Sequence, residues 1–181
     1  MSRELGGVRQ AGYVVRDIEA AVQYWTTVLG VGPFFYIDRL PLQRFVYGGR
    51  PSDPHVSVAL GYSGELQVEL IQQRDDAPSM WRDFLDGGHE GLHHLAFWTT
   101  QFNRDLDLLT QRGLRVGHSG RSGSGGPDER FAYLSDGAPQ GAVVELSEMG
   151  GTKAEIYAMV ADAAAAWDGA DPLRTLEAPR A

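Results

Sequence analysis

The sequence predicts an α+β fold: two β-α-β-β-β modules, about residues 8–74 and 91–149, form a shared open barrel-like cleft, and a C-terminal helix and tail follow over 151–181. Three observations lead there. First, the order of strand-like and helix-like segments in the first half recurs in the second. Second, polar residues sit at matching places in the repeated strands. Gln10 and His94 lie in the first strand of each half, 84 positions apart, and Glu69 and Glu145 in the last, 76 apart. The shorter second spacing fits a longer excursion inside the first half. Third, the stretch after Gly151 leaves the repeat and carries a helical stripe of its own. One module alone would leave a sheet face uncovered; two side by side bury it and leave a cleft between them.

Each element follows from local pattern. Val8 to Val15, rich in β-branched and aromatic residues, reads as the first strand. Asp17 suits a helix N-cap, Ile18, Ala21, Val22 and Trp25 recur at helical spacing, and Gly30 suits the stop. Phe34–Ile37 is a short apolar strand. Leu40 to Pro54, with scattered Pro, Gly and Arg, reads as a long excursion. His55–Leu60 and Leu66–Ile71 are strands joined by a turn over 62–65. Residues 75–88 connect the halves with a short helix whose Trp81, Phe84 and Leu85 face inward.

The second half opens on Gly91-Leu92-His93-His94-Leu95-Ala96-Phe97-Trp98. Strand alternation puts His94, Ala96 and Trp98 on one face, so the adjacent histidines are expected to point opposite ways. Asn103–Arg112 is helical and Leu114–Val116 opens a strand. Gly117–Arg130, rich in Gly and Ser, reads as a mobile loop and potential lid holding His118 and Arg121. Phe131–Leu134 and Ala142–Leu146 are the last strands, joined through Asp136-Gly137. In the tail, Ile156, Val160, Ala163 and Trp167 form one stripe with Thr152 as its cap, and 168–181 reads as extended.

Composition bounds the function. A net charge of -8 repels polyanions, so neither nucleic acid nor an anionic membrane is an expected partner. The absence of cysteine excludes disulfides, thiolate metal ligands and cysteine nucleophiles. The N-terminus lacks the apolar core of a signal peptide, and no apolar run approaches the roughly 20 residues that span a bilayer. A soluble cytoplasmic protein is expected. Arginines greatly outnumber lysines, and Arg16, Arg39, Arg44, Arg50, Arg121 and Arg130 could meet an anionic substrate.

A paired β-α-β-β-β chain with polar residues at these four strand positions resembles the vicinal-oxygen-chelate superfamily over about residues 8–149. That superfamily includes glyoxalase I, methylmalonyl-CoA epimerase, extradiol dioxygenases and fosfomycin-resistance enzymes. Gly91-Leu92-His93-His94 and Ala142-Val143-Val144-Glu145-Leu146 look most like the epimerase branch. The Gln, Glu, His, Glu order is similar to that of eukaryotic glyoxalase I. The resemblance implies metal ligands at Gln10, Glu69, His94 and Glu145, with Glu145 or Glu69 as catalytic base and His93 turned away from the metal. It implies a divalent cofactor (Zn, Ni, Co, Mn or Mg), a small-molecule substrate and a homodimer. Oxygen-rich donors with a single imidazole suit such an ion in an expanded shell better than a tetrahedral structural zinc.

The implied activity is that of a lyase or isomerase, moving a proton next to a carbonyl through a metal-stabilised enediolate-like intermediate. The chain departs from both neighbouring branches. Extradiol dioxygenases bind Fe(II) with two histidines and a glutamate, whereas position 10 here is glutamine. Epimerases more often have histidine there and use a further glutamate in the first half, where this chain offers only Asp53 between Leu40 and Leu60. The alternatives are a non-catalytic protein that sequesters a small molecule against Phe34, Phe35, Tyr36, Trp98 and Tyr133, or a dioxygenase-type relative.

Overall fold

A computed structural model describes residues 2–137 and 142–177. Strand β1 (Gln10–Val14) leads into helix α1 (Ile18–Thr27), followed by β2 (Phe34–Ile37), β3 (Gln43–Tyr47), β4 (Arg50–Pro51), β5 (Val56–Ser63) and β6 (Leu66–Gln73). Helix α2 (Met80–Asp86) connects to β7 (Gly91–Thr99), α3 (Phe102–Gln111), β8 (Arg115–Arg121), β9 (Arg130–Ser135) and β10 (Val143–Glu148). Helix α4 (Gly151–Ala165) and β11 (Leu173–Thr175) end the described order. None of the described helices is long and apolar enough to cross a membrane.

All these strands join one open mixed sheet in the order β11-β2-β5-β6-β1-β7-β10-β9-β8-β3-β4. The first strands of the two halves, β1 and β7, meet antiparallel at its centre. The last strands, β6 and β10, flank them in parallel pairings. Pairing also fixes which residues share a face. Glu69 aligns with Gly12, Gly12 with His94, and His94 with Val143; Gln67 aligns with Gln10, Gln10 with Ala96, and Ala96 with Glu145. Those two rows are two residues apart along each strand, so they lie on the same face.

The alternation along each strand divides the core. Outward residues Ala59, Val68 and Leu70 pack beneath Ile18 and Val22 of α1, and Ala132, Leu134 and Leu146 beneath Phe102 and Leu109 of α3. Inward residues Val56, Val58, Ile71, Phe131 and Tyr133 pack with Trp81 and Leu85 of α2. Helix α4 closes the inner side, its Val160 buried against Phe35, Leu60 and Tyr62. Asp17 caps α1 as expected, accepting from the Ala20 amide at 3.0 Å.

The structure corrects four sequence expectations. The excursion over 40–54 contains β3 and β4, and β3 pairs with β8 across the sheet edge. The glycine-rich stretch is not a loose lid: Gly117–Arg121 belongs to β8, and His118 is buried among Phe45, Trp81, Phe131 and Tyr133. The cap of α4 is Gly150, not Thr152, and the polar group missing there comes from a distance. The Glu129 carboxylate accepts the Lys153 amide at 2.9 Å, and with it Ser124 Oγ and the Gly126 amide, both at 2.7 Å. Part of the tail, extended as expected, forms β11, which adds to β2. Finally, His93 and His94 do not point to opposite sides. Gly12 pairs with His94 but Tyr13 with Leu92, so His93 is the extra residue of a bulge, which turns both imidazoles inward. The join after Asp136-Gly137 runs into 138–141, and 178–181 end the tail; both lie outside the described residues.

Candidate metal centre

The four polar residues at matching strand positions are all buried. His94 Nε2 lies 3.0 Å from Glu145 Oε2 and 3.5 Å from Glu69 Oε2. One ligand atom from each of these three residues falls within 4.8 Å of the other two, so the group could hold a metal ion. Gln10 occupies the adjacent row. Its Nε2 donates to Gln67 Oε1 at 2.6 Å, and Gln67 in turn donates to the Tyr62 hydroxyl at 3.2 Å. In this arrangement Gln10 Oε1 is buried with no donor. A buried acceptor without a partner is costly in a folded protein. Glu145 Oε2 is likewise reached by no well-directed hydrogen bond. An amide oxygen, two carboxylates and an imidazole are the donor chemistry a divalent ion requires, so the residues present fit such a cofactor.

Sheet geometry makes room for this cluster. A methyl group on Gly12 would stand inside the His94 ring, 2.5 Å from Nδ1 and closer still to Cε1 and Nε2. Gly12 is therefore the floor on which the imidazole lies. The neighbouring row supplies Ala96, the smallest side chain available, between Gln10 and Glu145.

Electrostatics bind the group together. Burial works against the His94 imidazolium, but the adjoining Glu145 and Glu69 carboxylates outweigh it and raise the histidine to about 9. Burial pushes Glu69 up. Glu145 is held below the usual carboxylate range: burial opposes this, but the closer His94 and the charge of Lys153 prevail. His93 is driven down to about 3, first by burial and then by the charge of His94. It stays neutral, with its Nδ1 3.2 Å from His94 Nδ1. Neutral His93 can thus accept the Nδ1 proton of His94 and present His94 Nε2 to the carboxylates.

Sequence reasoning named Tyr133 but missed the rest of what surrounds the four. Tyr133 places its hydroxyl 3.3 Å from His94 Nε2. Helix α4 brings Lys153, Ile156 and Tyr157 over the site, where with Glu69, Glu145 and Tyr133 they line a cavity of about 50 Å³, measured as space open to the centre of a water molecule. None of the six arginines singled out in the sequence lines that cavity. Arg16 and Arg39 pair with Glu90 and Asp53 at the surface, and Arg130 pairs with Glu148. The one signal that pointed to Lys153 was compositional: it is the only lysine in a chain with fifteen arginines. Of the aromatic residues expected in an apolar cleft, only Tyr133 reaches the cavity. Phe34 packs under α1, Phe35 against α4, Tyr36 bonds Asp38, and Trp98 lies tilted against Tyr157.

The chain is similar to three known proteins and matches one family. The chain is 27% identical over 138 residues to the "uncharacterized protein YqjC" of Bacillus subtilis (strain 168), covering 76% of this chain and 88% of that one. Methylmalonyl-CoA epimerase from Mycobacterium tuberculosis has a similar fold, with a TM-score of 0.58 and 20% identity over 86% of this chain and 96% of its own. The Streptomyces coelicolor epimerase in complex with 2-nitronate-propionyl-CoA matches with a TM-score of 0.51, 20% identity, and coverage of 77% and 91%. At these identities the two structures speak to the fold alone. The sequence itself matches, over residues 9–133, the family described as the Glyoxalase/Bleomycin resistance protein/Dioxygenase superfamily. The chain belongs to that superfamily, whose members include the vicinal-oxygen-chelate enzymes.

Proposed function

We propose that this protein is a metal-dependent lyase or isomerase of the vicinal-oxygen-chelate type, moving a proton at a carbon next to a carbonyl of a small-molecule substrate. The observation that carries this reading is the convergence of Glu69, His94 and Glu145 beside a buried Gln10 oxygen that has no donor. Gln10, Glu69, His94 and Glu145 are the residues that would hold the ion. A divalent ion there supplies a Lewis acid that polarises the carbonyl and stabilises the enediolate-like anion. Glu69 is the better placed of the two carboxylates to take the proton. Burial raises it, and it stands farther from His94 than Glu145 does. Tyr133 holds its hydroxyl proton, because burial and the two carboxylates push it well above the usual phenol range. The setting that accompanies this reading is a cytoplasmic homodimer.

Metal analysis of the purified protein, repeated on His94→Ala and Glu145→Ala, tests the ligand set. The reading expects about one divalent ion per chain in the wild type and a large loss in both variants. A screen of deuterium incorporation into hemithioacetals, acyl-CoA thioesters and hydroxy-ketones tests the chemistry. Metal content unchanged by both substitutions would remove the proposal.

A further inference from the structure

The only lysine of the chain sits where a charged side chain is costly. Lys153 is 2% exposed, on the first turn of α4, and lines the same cavity as Glu69 and Glu145. Its ammonium group donates to the Arg130 carbonyl at 3.2 Å and, at a long 3.4 Å, to Ser147 Oγ. An ammonium has three protons to give, and these bonds use two. Among the described residues no carboxylate pairs with it within 4.0 Å. The acids around it are committed elsewhere. Glu129 is bound by Ser124, Gly126 and the Lys153 amide, and Glu148 by Arg130. Glu69 and Glu145 together match the charge of one divalent ion. One proton of the Lys153 ammonium is thus left without an acceptor in a side chain that lines the cavity, and a buried donor is retained when a bound group accepts from it.

The space beside Lys153 suits a small ligand. Each water-sized sphere needs about 10–15 Å³ of such space, so 50 Å³ admits about four of them, a ligand of four to six non-hydrogen atoms. We propose that Lys153 is the substrate-binding cation of this site and that the substrate is a small free hydroxy or oxo carboxylic acid whose carboxylate it receives. This inference rests on the metal-centre reading above and narrows its substrate class. It sets the chain apart from the epimerase of similar fold that was solved with an acyl-CoA analogue.

The probes are glycolate and its neutral isostere glycolamide, with propionyl-CoA as the thioester arm. Each is titrated into Co(II)-loaded protein whose lysine carries a 13C label. The cobalt absorption bands report the ion's surroundings, and the single lysine side-chain resonance reports Lys153 alone. Glycolate is expected to shift both signals and to bind about ten- to a hundredfold tighter than glycolamide, the range a hydrogen bond to a charged group supplies. Lys153→Met is expected to keep its cobalt spectrum and bind both compounds alike. If that variant fails to fold, the wild-type lysine resonance decides by itself. Equal binding of glycolate and glycolamide with an unmoved lysine signal overturns the inference while leaving the metal centre standing, as does tighter binding of propionyl-CoA. Failure of the protein to bind cobalt at all overturns the metal-centre reading, and this inference falls with it.

Discussion

Gly12→Ala is the smallest change that bears on the whole site. Its methyl group would occupy the space of the His94 imidazole, 2.5 Å from Nδ1 and nearer to two other ring atoms. The backbone itself can accept alanine, since Gly12 is not among the glycines held at positive φ. The ring must therefore leave, and Glu145 and Glu69 lose the partner at 3.0 and 3.5 Å. Overpacking alone costs about 1–3 kcal/mol, and breaking a buried pair costs about 3–5 kcal/mol. A net loss of about 3–5 kcal/mol follows, a fall in Tm of roughly 6–20 °C for a domain of this size. Metal content should fall with it. The decisive comparison is a double-mutant cycle by thermal unfolding and metal analysis. In a His94→Ala background the ring is gone, so Gly12→Ala should cost less than about 0.5 kcal/mol. Equal costs in the two backgrounds, or a Gly12→Ala protein with full metal content, would refute the placement of His94 over this glycine.

Three further outcomes follow from the same structure. An ion must displace the proton of His94, which is held to about 9, so metal affinity should rise about tenfold per pH unit up to about pH 9; titration with a competing chelator measures it, and a flat profile would contradict the role of His94. The stability of the metal-free protein should peak near pH 6.5. Above that, the raised His94 loses its contribution of about 3 kcal/mol as pH climbs from 6.5 through 9, with the lowered Lys153, at about 8, partly offsetting the loss above pH 8. Below it, His93 is neutral when folded but protonates when unfolded, so stability falls toward acid, by about 2 kcal/mol from His93 alone at pH 5; denaturant midpoints against pH trace both limbs. Glu129→Ala removes three hydrogen bonds and the acceptor at the start of α4, and should cost about 2–3 kcal/mol and speed hydrogen exchange at the Lys153 amide more than in α1.

The halves of the fold were legible because their segments carry local signatures, such as the apolar strand runs and the helical stripe of α1 behind its Asp17 cap. Gln10, His94, Glu69 and Glu145 could be found because the repeat sets their register, and the sheet then places β6, β1, β7 and β10 side by side. What escaped the sequence depends on distant partners. The inward turn of His93 comes from a bulge, which is a property of pairing with β1 and leaves no local signature. Residues 117–130 look loose in composition, yet the glycines serve close packing: a methyl on Gly123 would meet Glu129, and one on Gly125 would meet Gln43. The cap of α4 lies more than twenty residues upstream in Glu129. Lys153 was passed over because the cation was sought among the arginines, whereas the tail helix folds back over the cleft and delivers it.

The central claim is that four side chains from the two halves of the chain share one ion. Crystals grown with Co(II) and measured at the cobalt absorption edge test it most directly. The account predicts a single strong anomalous peak bounded by Gln10 Oε1, His94 Nε2 and the carboxylates of Glu69 and Glu145, with the Gln10 amide still bonded to Gln67. A peak held by other residues, or none between these four in crystals that bind cobalt elsewhere, would contradict it.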